Sequence, residues 1–227
     1  MTIEHQQFDD MISAAHALAD ELAIVLRNAI DQRGNALIAV SGGRTPEHVF
    51  KRLRQQRLDW QKVTVTLTDE RWVPADHPDS NEKLVRTHLL QDAAAAAAFV
   101  PLFGGEATPE AGQSACEARL QKLNVPFDAV YLGMGGDGHF ASLFPGDAAV
   151  NVTEGLCIAA PETVSRVARM SLTAPAVLNA RKIFLLFFGA DKHAKYAEAQ
   201  QPGVPSEVPL RLVLRQSQTP VTVLSAP

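Results

Sequence analysis

The chain has 227 residues, of which 46% are hydrophobic, a formal net charge of -4 and a sequence pI near 6.0. This length suits one large α/β domain or two small ones and allows a substantial core. The acidic balance, without a cluster of Lys and Arg, argues against a nucleic-acid or membrane partner.

The cysteines and the apolar runs exclude further classes of protein. Cys116 and Cys157 have no C-x-x-C spacing and no histidine partners nearby, which excludes a disulfide framework or zinc finger and favours two core residues. The N-terminal residues lack a signal-peptide layout, and no apolar run is long enough to span a bilayer. The sequence therefore predicts a cytoplasmic protein.

The elements predicted in chain order alternate between helix and strand. Apolar residues at three- and four-residue steps predict a helix over residues 9–32, ended by Gly34. A strand at 36–40 precedes a helix with Thr45 as N-cap and Pro46 as first residue. A strand at 63–67 precedes a helix from Ser80 to about Leu90. A third unit starts near residue 99 and continues with a helix from Thr108 to Leu123.

The remaining predicted strands are short and apolar. They lie at 129–132, 169–172, 182–188 and 221–224. Short apolar runs separated by helices indicate strands that are covered on both faces. The sequence thus predicts an α/β fold, a Rossmann-like doubly wound and mostly parallel sheet with helices on both faces. No linker divides the chain, so residues 1–227 are expected to form a single domain.

Strand-to-helix loops are where open α/β sheets bind ligands. The first such loop, SGGRTP, places glycines before a helix N-terminus, where free N–H groups favour an anion such as phosphate. A cation in the loop would add a charged fork. The alternative is that the glycines only form a tight turn. The residues expected to bind phosphate are Ser41, Gly42, Gly43, Arg44 and Thr45, here called the diglycine loop.

The second loop, TDERWVPADHPDSN at residues 68–81, is rich in polar side chains. Asp69, Glu70, Arg71 and Asn81 surround Trp72, and acidic residues here could contact sugar hydroxyls. The alternative is a solvated loop in which Arg71 pairs with Glu70 at the surface.

The third loop, residues 133–146, reads GMGGDGHFASLFPG and is called the histidine loop below. It formally matches G-x-G-x-x-G, but Pro145 interrupts the helix that should follow and no suitably spaced acidic residue ends a second strand, which argues against a dinucleotide site. His139 is suited to accept a proton at neutral pH, and Asp137 could orient it. Arg169 and Lys192, at the edges of predicted strands, are further candidates for contacting phosphate.

Several chemistries lack their motifs. The sequence has no H-E-x-x-H pair, no G-x-S-x-G elbow and no GxxxxGK[ST] loop, which excludes a metalloprotease or a P-loop enzyme. We expect no metal site.

The three loops together resemble a known family. SGGRTP, then TDERWVP followed by SN, then LGMGGDGHFASLFPG resemble, in order and spacing, the 6-phosphogluconolactonase family, and RMSLT and FFGADKHAKY fall where its later motifs lie. The resemblance covers nearly the whole chain. It implies a Rossmann-like fold shared with glucosamine-6-phosphate deaminases and ribose-5-phosphate isomerases. It also implies cofactor-free hydrolysis of 6-phospho-D-glucono-1,5-lactone to 6-phospho-D-gluconate in the pentose phosphate pathway.

The resemblance also implies roles for individual residues. His139 corresponds to the catalytic histidine and residues 41–45 to the phosphate loop, while Arg71, Arg169 and Lys192 match cationic positions of the substrate pocket. The sequence departs from the family at Phe140, where threonine is usual, and at Gly136, where a bulkier residue is common.

The sequence is compatible with more than one mechanism. Asp137 or Asp69 is expected to orient His139 or to hold the attacking water. A covalent route through Ser41 or Ser142 is the less favoured alternative, because neither serine lies in a recognisable nucleophile elbow.

The sequence offers two alternative functions. An aldose–ketose isomerase or deaminase would use carboxylates of the DER motif. An inactive phosphosugar sensor would need a DNA-binding helix-turn-helix, for which the chain has neither length nor basic charge. The expected partner is a small sugar phosphate, and the expected assembly is a monomer or a small homo-oligomer.

Overall fold

The centre of the molecule is a seven-stranded sheet. The computed structural model describes residues 3–43, 45–123 and 125–227. The strands of this sheet are β1 (Ile3–Gln7), β2 (Ala36–Val40), β3 (Val63–Leu67), β5 (Ala98–Val100), β6 (Ala129–Gly133), β9 (Ile183–Phe188) and β10 (Val221–Ala226). They are arranged β1-β10-β9-β6-β2-β3-β5, and every neighbouring pair is parallel.

A second, smaller sheet lies beside the first. It is antiparallel in the order β4-β8-β7, with β4 (Asp69–Arg71), β7 (Cys157–Ala160) and β8 (Arg169–Leu172). The strand predicted at 169–172 is therefore present but belongs to this antiparallel sheet. The prediction of a loop from residue 68 onward is wrong at its start, because the backbone of β4 pairs with β8.

Seven helices connect the strands in the described ranges. They are α1 (Met11–Arg33), α2 (Pro46–Leu53), α3 (Asn81–His88), α4 (Pro109–Leu120), α5 (Ala174–Leu178), α6 (Ala190–Gln200) and α7 (Arg211–Leu214). Short 3₁₀ turns occur at Trp60–Lys62, Asp92–Ala96 and Ala148–Asn151.

The capping residues account for most of the helix boundaries. The Asp10 carboxylate accepts from the Ser13 N–H, so α1 starts at Met11 rather than at residue 9, and Gly34 ends it in the left-handed region as predicted. Ser80 and Thr108 cap α3 and α4 as predicted. Thr45 precedes α2, but its backbone is helical and its side chain makes no capping bond to any described residue.

Two predicted helix ends lie too far along the chain. The helix α3 ends at His88 rather than Leu90, where the Gln91 side-chain amide donates to the Arg86 carbonyl. The helix α4 ends at Leu120 rather than Leu123, because the last turn tightens into an i to i+3 bond from the Leu123 N–H to the Leu120 carbonyl.

The core lies on both sides of the parallel sheet. All five residues of β2 are buried, as expected for a strand that is covered on both faces. The helix α1 contributes a stripe of buried side chains that includes Leu18, Leu22 and Leu26. Cys116 and Cys157 are both free thiols within the core, in agreement with their interpretation. None of the described helices combines the length and apolar character that a membrane crossing needs.

The strand order creates a crevice at one point. The chain leaves β2 toward β3 and β5 on one side, and it later returns through β6 to the other side of β2. In doubly wound sheets, such a reversal separates the loops that follow the two central strands and opens a ligand site at their carboxyl ends. Here those loops are the diglycine loop and the histidine loop.

Candidate active site

A cavity of about 800 Å³ lies at the carboxyl ends of β2, β6 and β9. It brings together most of the residues that the sequence singled out, although they come from five separate segments of the chain. Asp137 is not among the lining residues, and Arg44 lies outside the described residues. The predicted site residues that line the cavity are Ser41, Gly42, Gly43, Thr45, Asp69, Arg71, Asn81, His139, Arg169 and Lys192.

His139 is oriented by Asp137. Its Nδ1 lies 2.6 Å from Asp137 Oδ1, and its backbone N–H donates to the same oxygen at 3.1 Å. Because a carboxylate accepts hydrogen bonds, this contact places a hydrogen on Nδ1 and leaves the lone pair of the neutral ring on Nε2. Partial burial alone would raise the pKa of Asp137, but hydrogen bonding to His139 and its charge lower that pKa to about 2.

Two further neighbours confine the His139 ring. The backbone of Gly135 lies close to it, and an added Cβ there would overlap Cε1 and Nδ1 of the ring. The Phe144 ring packs against His139, with ring centroids 4.3 Å apart and an interplanar angle of 38°. The His139 side chain is 27% exposed. The imidazole is therefore held in one orientation while it lines the cavity.

Asp69 lines the cavity and makes contacts of its own. Its Oδ2 accepts a hydrogen bond from Ser142 Oγ at 2.6 Å and lies 3.4 Å from Arg169 Nη1. The backbone N–H of Ser142 donates to Ser171 Oγ on β8. Among the described residues, His139 is hydrogen-bonded to Asp137 and not to Asp69. Asp69 thus joins the histidine loop to the antiparallel sheet.

Glu70 is a buried carboxylate on which the second loop is built. Its side chain, in a residue only 1% exposed, accepts from the backbone N–H groups of Arg71, Asn81 and Glu82 and from the Ser80 hydroxyl. Burial raises the pKa of Glu70 to about 7, against the lowering effect of these hydrogen bonds. The surface ion pair between Glu70 and Arg71 is therefore not formed, and Glu70 instead caps the start of α3.

The cap on α3 places Arg71 and Asn81 together. Arg71 Nη1 donates to Asn81 Oδ1 at 2.6 Å and to the Asp79 carbonyl at 2.8 Å, while Asn81 Nδ2 donates to the Asp69 carbonyl. Asn81 also fills the space beside Gly42, so no Cβ fits at that glycine. The diglycine loop and the second loop are in this way packed directly against each other.

Trp72 follows these residues and is partly buried. Its indole Nε1 donates to the Glu106 carbonyl at 2.8 Å, and its ring meets Phe103 edge-on with centroids 4.9 Å apart. Trp72 therefore links β4 to the segment that precedes α4.

Cations line the cavity from two directions. Arg71 and Arg169 project from paired positions of β4 and β8, and the buried Nε atom of each has no hydrogen-bond partner among the described residues. Burial lowers the pKa of Arg169, with Arg71 and Arg166 acting in the same sense and Asp69 opposing them. Lys192 approaches from the first turn of α6, beyond β9. The arrangement suits an anionic ligand.

Phe140 lies apart from this chemistry. Its side chain is fully buried in the hydrophobic core and is not part of the cavity wall, so the departure from threonine alters the packing beneath the loop. Gly136 faces the carboxylate of Asp191, which a Cβ would approach to 3.2 Å.

Several residues near the cavity were not anticipated. Met11, His48 and Tyr131 line it, and Phe144 and Arg166 lie behind His139. Only Phe144 carried a signal in the sequence, because it lies in the histidine loop. The described residues contain no group of three His, Cys, Asp or Glu side chains that could hold a metal ion.

Fold and site together define a class: a doubly wound α/β protein whose switch-point cleft presents a fixed histidine, carboxylates and cations. Residues 9–223 match the family model described as glucosamine-6-phosphate isomerases/6-phosphogluconolactonase. The chain belongs to this family.

Individual relatives agree with this assignment. The chain is 40% identical to the 6-phosphogluconolactonase of Rhizobium meliloti, over 97% of each chain. It is 40% identical to that of Pseudomonas aeruginosa, over 90% of this chain and 88% of the relative. A crystal structure of a 6-phosphogluconolactonase from Shewanella baltica superposes with a TM-score of 0.96 at 40% identity, covering 100% of this chain and 98% of the other.

Proposed function

We propose that this protein is a 6-phosphogluconolactonase, which hydrolyses 6-phospho-D-glucono-1,5-lactone to 6-phospho-D-gluconate in the oxidative pentose phosphate pathway. The relatives named above suggest the substrate. The observation that carries the chemistry is the fixed His139, whose Nδ1 is engaged by Asp137 and whose Nε2 is left as the basic nitrogen in a cavity lined with cations.

The reaction requires two proton transfers, one from the attacking water and one to the ring oxygen that leaves C1. Nε2 of His139 removes a proton from a water molecule as its oxygen forms a bond to C1 of the lactone. The tetrahedral intermediate then loses the bond between C1 and the ring oxygen, and that oxygen receives the proton from the imidazolium. The product is an open-chain acid, which ionises to a carboxylate. No electron acceptor or metal enters this scheme.

Asp137 assists by its charge and position. It keeps the hydrogen on Nδ1 and stabilises the imidazolium that forms during the reaction. Because the pKa of Asp137 is held near 2, this carboxylate stays ionised throughout the range in which an enzyme of this kind would work. We assign Asp69 a positioning role through Ser142, since its carboxylate is engaged there.

The phosphate of the substrate is assigned to the diglycine loop and its neighbours. Ser41, Gly42, Gly43 and Thr45 precede or begin the first turn of α2, where N–H groups favour an anion. Arg169 and Lys192 supply cations, and Arg71 with Asn81 would contact the sugar hydroxyls. Arg44 keeps its proposed role as a further cation. Anchoring one end of the substrate brings C1 near His139 and lowers the entropic cost of the reaction.

The geometry disfavours the alternatives. Enediol chemistry needs a carboxylate that is free to take a proton from carbon, but Glu70 is turned into the cap of α3 and Asp69 is bound to Ser142. A covalent route through Ser142 would need an accessible hydroxyl, whereas this residue is fully buried. Residues 1–227 are proposed to act as one cytoplasmic domain, as a monomer or small homo-oligomer.

The test is a lactonase assay on His139→Ala. The lactone is generated in situ from glucose 6-phosphate, proton release is followed, and the enzyme-free rate is subtracted. We expect a loss of about 10²–10⁴ in kcat, the usual contribution of general-base assistance. His16→Ala, on an exposed position of α1, serves as the matched control and should retain wild-type turnover.

Substrate identity is tested with the same preparation. Glucosamine 6-phosphate and ribose 5-phosphate are offered in parallel, and neither is expected to react. Turnover of either of them in place of the lactone, or wild-type kcat in His139→Ala, would refute the proposal.

A further inference from the structure

We infer that Phe144 and Arg166 are positioning residues for His139, and that they form an aromatic bracket that holds the imidazole in its reactive orientation. The inference rests on the proposed function, because it assigns a role in the same reaction. Neither residue lines the cavity, so they would act on the substrate through residues that do, and of these His139 lies closer to the Phe144 ring than Arg169 does.

The first element of the bracket is the Phe144 ring. It packs on His139 with centroids 4.3 Å apart, closer than any other aromatic contact among the described residues. A second constraint is the Gly135 backbone, where a Cβ would not fit beside the imidazole. The hydrogen bond to Asp137 holds the ring at one edge, at Nδ1. A flat side chain packed against the imidazole limits the remaining tilt of the ring.

The second element fixes Phe144 itself. The guanidinium carbon of Arg166 lies 4.0 Å from the centroid of the Phe144 ring, and that of Arg169 lies at 5.5 Å. A guanidinium at the face of an aromatic ring is attracted to its quadrupole, more strongly when the pair is shielded from water. The Arg166 side chain is only 11% exposed.

The Arg166 side chain has its own anchors. Its Nη2 lies 2.7 Å from Oδ2 of Asp147, the residue directly after the histidine loop, and 3.4 Å from the Pro161 carbonyl. The backbone of Arg166 forms a bridge with Thr163, in the segment between β7 and β8. Arg166 thus joins the segment at residues 161–168 to Phe144 and to Asp147.

These contacts follow one another from Asp147 to the His139 ring, which carries the reacting Nε2. Asp147 holds Arg166, Arg166 packs on Phe144, and Phe144 packs on His139. A displacement of a reacting group by about 1 Å can cost about 10²-fold in rate. The bracket therefore affects the chemical step more than the binding of a phosphate, which is held elsewhere in the cavity.

The test compares Phe144→Leu, Phe144→Tyr and Arg166→Met in the lactonase assay. We expect kcat to fall about tenfold in Phe144→Leu and several-fold in Arg166→Met with KM nearly unchanged, whereas Phe144→Tyr retains the ring and most of the activity. Arg86→Met is the matched control, because Arg86 also lies over a phenylalanine ring, Phe99, at 4.9 Å and pairs with a carboxylate, but it is not among the residues that line the cavity.

A second measurement does not depend on activity. The ring protons of His139 are assigned in an NMR spectrum by their loss in His139→Gln, and the ring current of Phe144 shifts them. In Phe144→Leu this shift should disappear while the thermal unfolding curve stays close to wild type. Unchanged His139 signals, or a tenfold effect on KM in place of kcat, would overturn the bracket. Absence of lactone turnover by the wild type would instead refute the proposed function.

Discussion

At the scale of single residues, the site depends on the absence of a side chain at Gly135. The glycine there lets the backbone approach the imidazole so closely that a side chain would displace it. The proposed role of His139 therefore depends both on its imidazole and on a neighbouring residue without a Cβ.

Gly135→Ala should reduce kcat about 10²-fold or more, because the methyl group pushes His139 out of its orientation. Its backbone φ is not in the left-handed region, so a general loss of the fold is not expected. Gly136→Ala is the control, since its new methyl group would meet only the flexible Asp191 carboxylate. Steady-state kinetics and circular dichroism check the result. Equal losses in both variants would contradict this account.

At the scale of elements, the second loop and α3 are organised around one carboxylate. Glu70 collects donors from both ends of the loop that spans residues 71–80, and that loop carries Arg71 toward the cavity. The buried carboxylate of Glu70 thus caps the N-terminus of α3.

Glu70→Gln should lower the free energy of unfolding by about 1–3 kcal/mol, because the amide NH₂ faces groups that are themselves donors. The measurement is made at about pH 8, where the wild-type carboxyl, with its pKa raised to about 7, is ionised. KM for the lactone should rise as Arg71 and Asn81 lose their support. Glu47→Gln, which breaks an exposed i,i+4 pair with Lys51, should change stability by well under 1 kcal/mol.

The elements also show what the sequence could predict. Apolar runs such as residues 36–40 and caps such as Ser80 act locally, so most strands and the starts of α1 to α4 were predicted within a few residues. The strand β7 and the short helices α5 and α7, together with α6, were not predicted. The strand β1 was missed because IEHQQ is largely polar and lies at the edge of the sheet, where only one neighbour is needed. The pairing of β4 with β8 joins residues about 100 positions apart and leaves no local pattern.

The site was predicted as a set of residues but not as a network. Loop position and residue type identified His139, Asp137 and the diglycine loop. They could not distinguish Asp137 from Asp69 as the partner of His139, because that choice depends on how β4 packs against the histidine loop. Arg166 lies in a segment that has no motif, and its place behind Phe144 arises only from tertiary folding.

At the scale of the whole molecule, both halves of the parallel sheet contribute to one cavity. The diglycine loop follows β2, the histidine loop follows β6, and Lys192 comes after β9. The prediction of a single domain over residues 1–227 therefore has a thermodynamic consequence, since a ligand in the cavity would stabilise both halves together.

Differential scanning calorimetry should show one unfolding transition. At 6-phosphogluconate about 100-fold above its Kd, binding adds about 2.7 kcal/mol, which corresponds to a rise in Tm of roughly 5–10 °C for a chain of this size. Gluconate, which lacks the phosphate, should produce a much smaller rise. Two separate transitions, of which only one responds to 6-phosphogluconate, would contradict the single-domain prediction.

The position of Trp72 makes it a candidate fluorescence probe of the site. The chain has two tryptophans, and Trp60 is buried away from the cavity at 3% exposure. Trp72 directly follows Arg71, and its indole is hydrogen-bonded to the segment before α4. In a Trp60→Phe background, the emission of Trp72 would report on the polarity around β4. Occupancy of the pocket could then be followed in real time by intrinsic fluorescence, without a label or a coupled enzyme.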